Sequence, residues 1–427
     1  MGIQIQKSAL VYRKQYRIGK RMAKKEITPE TIAFIEAHAE DNVQTLALQA
    51  ARYPKVNIAT AIVQIAARQT ARTKLPTWWE ITGIRYPSHL AMEQCSSEVT
   101  ARYKATLIPE RLRSGSFTDL SGGFGVDFAC MASGFSQATY VERQEELCTL
   151  AMHNMPLLGL PKAQVVNTDS TKHLDEMIPQ SVIFIDPARR DLKGRKTVAI
   201  SDCEPNIIRL HDLLTKKAER VIVKLSPMLD ISQALEQLPH VSEVHVVAVG
   251  GECKELLLVM ENKALSAEAR IICVNLPSQL PDIWPTPFCF TRKEEEEATC
   301  TMASEIATYL YEPNSVLMKA GAFRLAAVQY GIEKLHPNSH LYTSNRLIKD
   351  FPGRKFEVVA HGGFGKRELK PLLDSVKKVN LTIRNFPASV ADLRKRLRLA
   401  EGGDFYLFAT TLVEDEKRWI LCKKVNI

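Results

Sequence analysis

From Phe117 onward, short apolar runs alternate with stretches of helical period. FTDL, ATYVE, AQVVN, VIFID, RVIVKLS, VHVVAV and ELLLVM are the apolar runs, and FACMASGF, QEELCTLAMHNMPLLG and EPNIIRLHDLLTKKA lie among their connections. Runs of this length predict strands, and the periodic stretches predict helices. Such alternation predicts a parallel α/β sheet with right-handed crossovers. The last two runs are joined only by GGECK, too short for a parallel crossover, so they predict an antiparallel hairpin.

The flanks read differently. Residues 28–72 predict helices: Thr28-Pro29-Glu30 supplies a cap, a first-turn proline and an early acid, and Pro54 interrupts the pattern. LAMEQCSSEVTARYKATL, Leu90 to Leu107, predicts one more helix running into a glycine turn. After Lys263 the pattern weakens, residues 275–290 are rich in proline, and EEEE at 294–297 predicts a solvated helix start or loop. KFEVVA, VNLTIRNFP and DFYLFATTL predict later strands, and ELKPLLDSVKK and SVADLRKRLRLA later helices. The expected domains are a basic tail with a helical region (1–88), the alternating sheet (89–263), a connecting subdomain (264–330) and a small α+β domain (331–427).

Charge adds a partner class. Residues 1–25 hold eight Lys/Arg and no acid, and 331–427 hold nineteen Lys/Arg against eleven Asp/Glu, so of the net +9 the stretch between them carries −7. Basic flanks around an acidic middle suit a polyanion such as RNA, gripped through its phosphates. The nine cysteines are scattered without any CxxC pair, which offers no zinc site and suits a reducing cytoplasm. No apolar run approaches the roughly 18 residues of a membrane span, and the basic first 25 residues contain no secretory apolar core.

Candidate chemistry gathers at the carboxyl tips of the predicted strands. The first run ends in Asp119 and leads into SGGFG, where Gly123 and Gly125 let the backbone approach a ligand with no Cβ in the way. The second ends in Glu142, an acid placed for ribose hydroxyls, the third in Asn167-Thr168-Asp169 and the fourth in Asp186-Pro187-Ala188-Arg189-Arg190. Ligands of open α/β sheets bind at that edge.

The ordered series resembles the class I S-adenosylmethionine-dependent methyltransferases. DLSGGFGVD, IDPARRDLKGRK and QCSSEVTARYKATL resemble, more narrowly, a bacterial group with a THUMP-like C-terminal domain. The resemblance implies a Rossmann-like seven-stranded sheet with an antiparallel terminal hairpin over about 90–262, and a small RNA-binding α+β domain over the last hundred residues. It also implies S-adenosylmethionine as cofactor, held by Asp119, Gly123, Gly125, Glu142 and Asp169. Asp186 and Pro187 match the start of the D/N-P-P-Y/F/W signature that holds an exocyclic amine for methylation. This chain lacks the signature's aromatic, so Arg189 or Arg190 would instead stack on a base or bind phosphate. The expected activity is in-line methyl transfer to a base of tRNA or rRNA. The rivals are an RNA-binding protein with a degenerate core and a methylase of small molecules or proteins. A nicotinamide enzyme is disfavoured by the missing G-x-G-x-x-G.

Other residues keep two readings. A second GGFG, Gly362 to Gly365, precedes Lys366 and Arg367, so it is either a phosphate-binding helix start or a plain turn. Lys224, Ser226 and Pro227 line the substrate side or simply end a strand, and Glu252 and Glu255 in the terminal hairpin are candidates to face the target base. Trp78 and Trp79 stack on RNA or pack domains together. Cys203 lacks the local Pro-Cys pattern of a pyrimidine methylase, and the histidines show no ligand spacing.

Overall fold

The computed structural model describes residues 27–189, 200–262, 268–365, 368–369, 371 and 376–426. They fall into two compact units, one within Met1–Val244, Glu255–Ala267 and Leu276–Trp284, the other within His245–Lys254, Glu268–Asn275 and Pro285–Ile427.

The seven apolar runs of the middle become strands β1 (Ser116–Asp119), β2 (Gln137–Glu142), β3 (Gln164–Asn167), β4 (Gln180–Ile185), β5 (Ala218–Leu225), β6 (Val241–Val249) and β7 (Glu252–Glu261). Their order is β6-β7-β5-β4-β1-β2-β3. Pairing is parallel from β5 through β4, β1 and β2 to β3, while β7 runs antiparallel to β5. Gly250 and Gly251, both left-handed, turn β6 into β7. The expected hairpin ending is therefore present, and the sheet is the Rossmann-like one anticipated. Val182, Ile183, Phe184 and Ile185 of β4 are all buried, the continuous apolar signature of a strand covered on both faces. At its carboxyl end, Asp119 of β1 stands in register with Tyr140 of β2 and Phe184 of β4.

Ahead of the sheet, helix Ile58–Lys74 is the longest of the amino-terminal helices among the described residues. Two buried amides fix the loop that follows. Gln64 bonds both backbone groups of Tyr86 (2.8 and 2.9 Å), and Asn154 does the same for Arg85 (2.8 and 2.9 Å). Trp78 is buried edge-to-face against Phe124 of the glycine turn, with centroids 5.0 Å apart, while the Arg72 guanidinium sits 5.4 Å from the Trp79 ring centroid. Trp78 is thus a packing residue. The expected single helix from Leu90 to Leu107 is two, His89–Gln94 and Glu98–Thr106, because Ser97 caps the second.

Strands Arg270–Leu276 and Phe288–Phe290 pair antiparallel and extend the first sheet beyond β6 to nine strands, two more than the expected seven. A separate seven-stranded sheet runs Glu333–Lys334, Tyr342–Ser344, Tyr309–Pro313, Gly353–Gly363, Lys417–Lys424, Phe405–Thr411, Asn380–Arg384. Its last pair is parallel, connected through helix Val390–Leu397. Leu381, Leu393, Leu397, Leu407 and Trp419 share one core cluster, so this α+β unit closes on itself.

The EEEE run departs from expectation. It forms helix Arg292–Glu297, but Glu295 is buried rather than solvated. Its carboxylate accepts from the backbone N–H groups of Phe323 (3.0 Å), Arg324 (2.8 Å) and Leu325 (2.9 Å). A buried acid is stable there because three donors at the start of helix Arg324–Tyr330 satisfy it. Glu295→Ala is expected to destabilise this unit by on the order of 3 kcal/mol, with Glu295→Gln intermediate, read from denaturant midpoints.

Candidate active site

The glycine turn after β1 is built around one tyrosine. The Tyr140 hydroxyl donates to the Gly123 carbonyl, and a Cβ on Gly122 would come within 2.3 Å of the Tyr140 ring. Gly123 (φ +55°) and Gly125 (φ +91°) adopt the left-handed conformation, and a Cβ on Gly125 would meet Met155 Cε at 2.6 Å. Three glycines are therefore required here, one more than the cofactor argument alone demands. The second GGFG differs in its backbone, although a Cβ on Gly362 would also meet an aromatic ring, that of Trp419 at 2.9 Å. Gly362, Gly363 and Gly365 carry no left-handed φ, and the segment ends strand Gly353–Gly363, where Gly362 pairs with Trp419. The Gly363 N–H donates to the Glu368 carboxylate, so an internal acid occupies the amide that a phosphate would need. Lys366, Arg367 and Arg190 lie outside the described residues, as does the side chain of Arg189.

The acids of the carboxyl edge each have defined partners. Asp119 is buried, and its Oδ1 accepts from the Ser121 amide (2.8 Å) and hydroxyl (3.1 Å). That hydroxyl oxygen also accepts from the Asp186 amide at 2.7 Å, tying the β1 and β4 tips together. Asp119 Oδ2 is buried and has no partner. Burial, with the nearby carboxylates of Asp127 and Asp186, pushes the Asp119 carboxyl up to about 8 against the opposing Ser121 bonds. Glu142 takes the Gly123 amide on Oε2 (3.0 Å) and the Gln144 amide on Oε1 (2.8 Å), leaving acceptor capacity on each oxygen. Asp169 caps helix Ser170–Glu176, with Oδ1 accepting from the amides of Thr171 (2.9 Å) and Lys172 (3.3 Å) and from the Thr171 hydroxyl. The hydroxyl bond above all holds its carboxyl below the usual range.

At the β4 and β5 tips, Asp186 Oδ2 accepts from Lys224 Nζ at 2.5 Å. Pro187 is buried, and Ala188–Arg189 forms a two-residue strand against Cys203–Glu204. Behind this pair lies a buried charge cluster that sequence reasoning did not assemble. Lys104 Nζ reaches both Glu255 oxygens (2.7 and 2.9 Å) and Asp127 (3.1 Å), Ser96 donates to Asp127 (2.7 Å), and Lys224 stands 3.8 Å from Asp127. Burial works against the Asp127 anion, but Lys104 and Lys224 outweigh it and hold its carboxyl low. For Glu255 burial dominates and its carboxyl is raised. Burial likewise disfavours the Lys224 ammonium, yet the carboxylates of Asp186, Asp127 and Glu255 raise its pKa above the ordinary lysine value. Glu255 consequently faces the interior and no target base; Glu252 is exposed and pairs with Lys254. The signal for Lys104 was present, since it falls on the Ala101–Ile108 face at helical spacing, where a lysine needs a buried acid.

A structure of a "putative methyltransferase" from Porphyromonas gingivalis W83 is 36% identical over 93% of this chain and 98% of that one, with a TM-score of 0.81. The chain belongs to this methyltransferase family. The family's THUMP-like end is present too: residues 353–424 match the model of a THUMP domain-like family and 309–352 that of a ferredoxin-like domain. The Thermus thermophilus 16S rRNA N2 G1207 methyltransferase, solved with AdoMet and guanosine, is 15% identical over 43% of this chain and 45% of that one, with a TM-score of 0.30. No curated protein matches. In this methyltransferase the glycine turn and the acids of β1 to β3 line one half of the sheet edge, and the Asp186–Lys224 pair stands on the other half. Among the described residues no group of His, Cys, Asp and Glu could hold a metal ion, and no helix is long and apolar enough to cross a membrane.

Proposed function

We propose that this methyltransferase uses S-adenosylmethionine to methylate a base of structured RNA. The observation that carries the cofactor reading is the unpartnered Asp119 Oδ2 beside a glycine turn, followed on the next two tips by Glu142 and Asp169. The residues fit the group. Asp119 would face the ammonium of its amino-acid end, Glu142 would accept from ribose hydroxyls with the capacity left on each oxygen, and Asp169 would accept from the adenine amine. Bound there, the cofactor supplies a methyl group already activated on a sulfonium. The chain's own task is alignment: Ser121 bonds both Asp119 beside the glycine turn and the Asp186 amide, linking the donor half to the acceptor half. The RNA reading is supported by the basic 331–427 segment and by the THUMP domain-like match within it.

Calorimetric titration with S-adenosylmethionine tests the cofactor, and saturable binding is expected. Mass spectrometry of nucleosides from cells with and without the gene tests the substrate, and one methylated nucleoside should vanish in the deletion. One observation favours a second reading, an RNA-binding protein with a degenerate core: Lys224 already occupies an oxygen of Asp186. Absence of binding at millimolar donor would decide for it.

A further inference from the structure

We propose that the acceptor is a ring N–H flanked by a carbonyl, as in the N1 edge of guanine or the N3 edge of uracil, rather than an exocyclic amine. This inference rests on the RNA methyltransferase reading above and narrows it. It starts from the Lys224–Asp186 pair, 2.5 Å apart at adjacent strand tips, with the Lys224 side chain 15% and the Asp186 side chain 36% exposed. The pair presents a hydrogen-bond donor beside an acceptor, and that is the complement of an N–H next to a C=O.

An exocyclic amine is a poor match for three reasons. Its nitrogen gains positive charge as the methyl group arrives, and an ammonium beside it opposes that gain. The acidic neighbours Asp186, Asp127 and Glu255 keep Lys224 protonated, so it cannot act as the base that would relieve this charge. The position after Pro187 is Ala188, so the aromatic platform that would hold a flipped amine-bearing base is missing.

A lactam or imide edge turns each of these features to use. The ring N–H donates to Asp186, and the adjacent carbonyl accepts from Lys224. As the N–CH3 bond forms and the methyl–sulfur bond of the sulfonium donor breaks, the ring N–H proton passes to Asp186 and then to water. The donor's positive charge is discharged, the base ends neutral, and negative charge building on the carbonyl oxygen meets the Lys224 ammonium. Lys104, Asp127 and Glu255 face the pair from the helix Glu98–Thr106, the start of helix Val126–Met131 and β7, with Lys104 pairing both acids, and Asp119 at the β1 tip and Cys95 also stand near it. In RNA these N–H groups are accessible only on unpaired or extruded bases, which suits a target in a loop.

The test incubates RNA from deletion cells with the full chain and methyl-labelled S-adenosylmethionine, then identifies the labelled nucleoside. N1-methylguanosine or N3-methyluridine is expected. N2-methylguanosine, N6-methyladenosine or N4-methylcytidine would overturn the inference and leave the methyltransferase reading standing, whereas no labelled nucleoside from any RNA would overturn both. Lys224→Gln and Lys224→Met should lower kcat by roughly 100-fold or more with donor affinity, followed by calorimetry, unchanged. In both variants kcat should climb with pH beyond the wild-type plateau, because hydroxide must then do what the cation assisted. A parallel loss at every pH would mean that Lys224 only holds the cluster together, and would count against the proposal.

Discussion

Replacing Lys104 by methionine is expected to cost on the order of 3–5 kcal/mol of folding stability, the largest effect of any single side chain in the sheet unit. The lysine is fully buried, and its ammonium is the nearest cation to both Glu255 and Asp127. Methionine fills much of the same volume but leaves two buried carboxylates with only Lys224, 3.8 Å from Asp127, to answer them. The pH dependence gives the cause away. In the variant Glu255, already raised by burial, loses the cation that most opposes that rise, so the folded state holds its proton to higher pH and stability falls as pH rises. The deficit should therefore shrink toward pH 5, as Glu255 takes its proton. The double replacement Lys104→Met with Glu255→Met should recover most of the loss, because Asp127 then keeps Ser96 and Lys224. Urea midpoints at pH 5 and pH 8 for the three proteins measure all of this. A deficit independent of pH would mean that lost packing, not charge, dominates.

The backbone of the sheet unit was legible because each strand is either a compact apolar run or ends in a polar tip, and both are local properties. The terminal hairpin was legible from the length of one linker. Asp119, Gly123, Gly125 and Glu142 come together for the same reason, since β1 and β2 are neighbours and their tips fall at one edge. Gly122 was not, because its need for a missing side chain comes from the Tyr140 ring on another strand. The charge cluster shows the limit most clearly: Lys104 and Glu255 are 151 residues apart, and nothing in either neighbourhood names the other. In the second unit, strands Tyr309–Pro313 and Lys417–Lys424 went unread, since YLYEP ends in proline and KRWILCKK is flanked by charge. The burial of Glu295 is not legible in its own stretch because its three backbone donors, Phe323 to Leu325, lie 28 to 30 residues further along the chain.

Replacing Asp119 by asparagine is expected to strengthen the fold above neutral pH while weakening donor binding, two effects of opposite sign from one change. The stability half follows from linkage. The Asp119 carboxyl is pushed up to about 8 in the folded protein from an ordinary value near 3.8, mainly by burial. Below that ordinary value both states are protonated and the group contributes nothing. Between it and about 8 the unfolded chain releases the proton and the folded chain keeps it, so stability declines with rising pH and levels off once both are ionised. Asparagine does not titrate. The variant's stability should be flat over this interval where the wild type falls, and the two should diverge by a few kcal/mol at pH 8. The Ser121 amide and hydroxyl still find a carbonyl oxygen in the variant, so the glycine turn keeps its tie to β4. The binding half follows from charge. Ionised Asp119 can answer a ligand ammonium and asparagine cannot, a difference of about 1.5–3 kcal/mol, or roughly 10- to 150-fold in Kd. Because the wild-type carboxyl must lose its proton to do so, donor binding should release close to one proton at pH 7 and tighten as pH rises to about 8. Calorimetry in two buffers of different ionisation enthalpy counts that proton directly. No proton release in the wild type, or equal affinity in the variant, would remove Asp119 from the cofactor site.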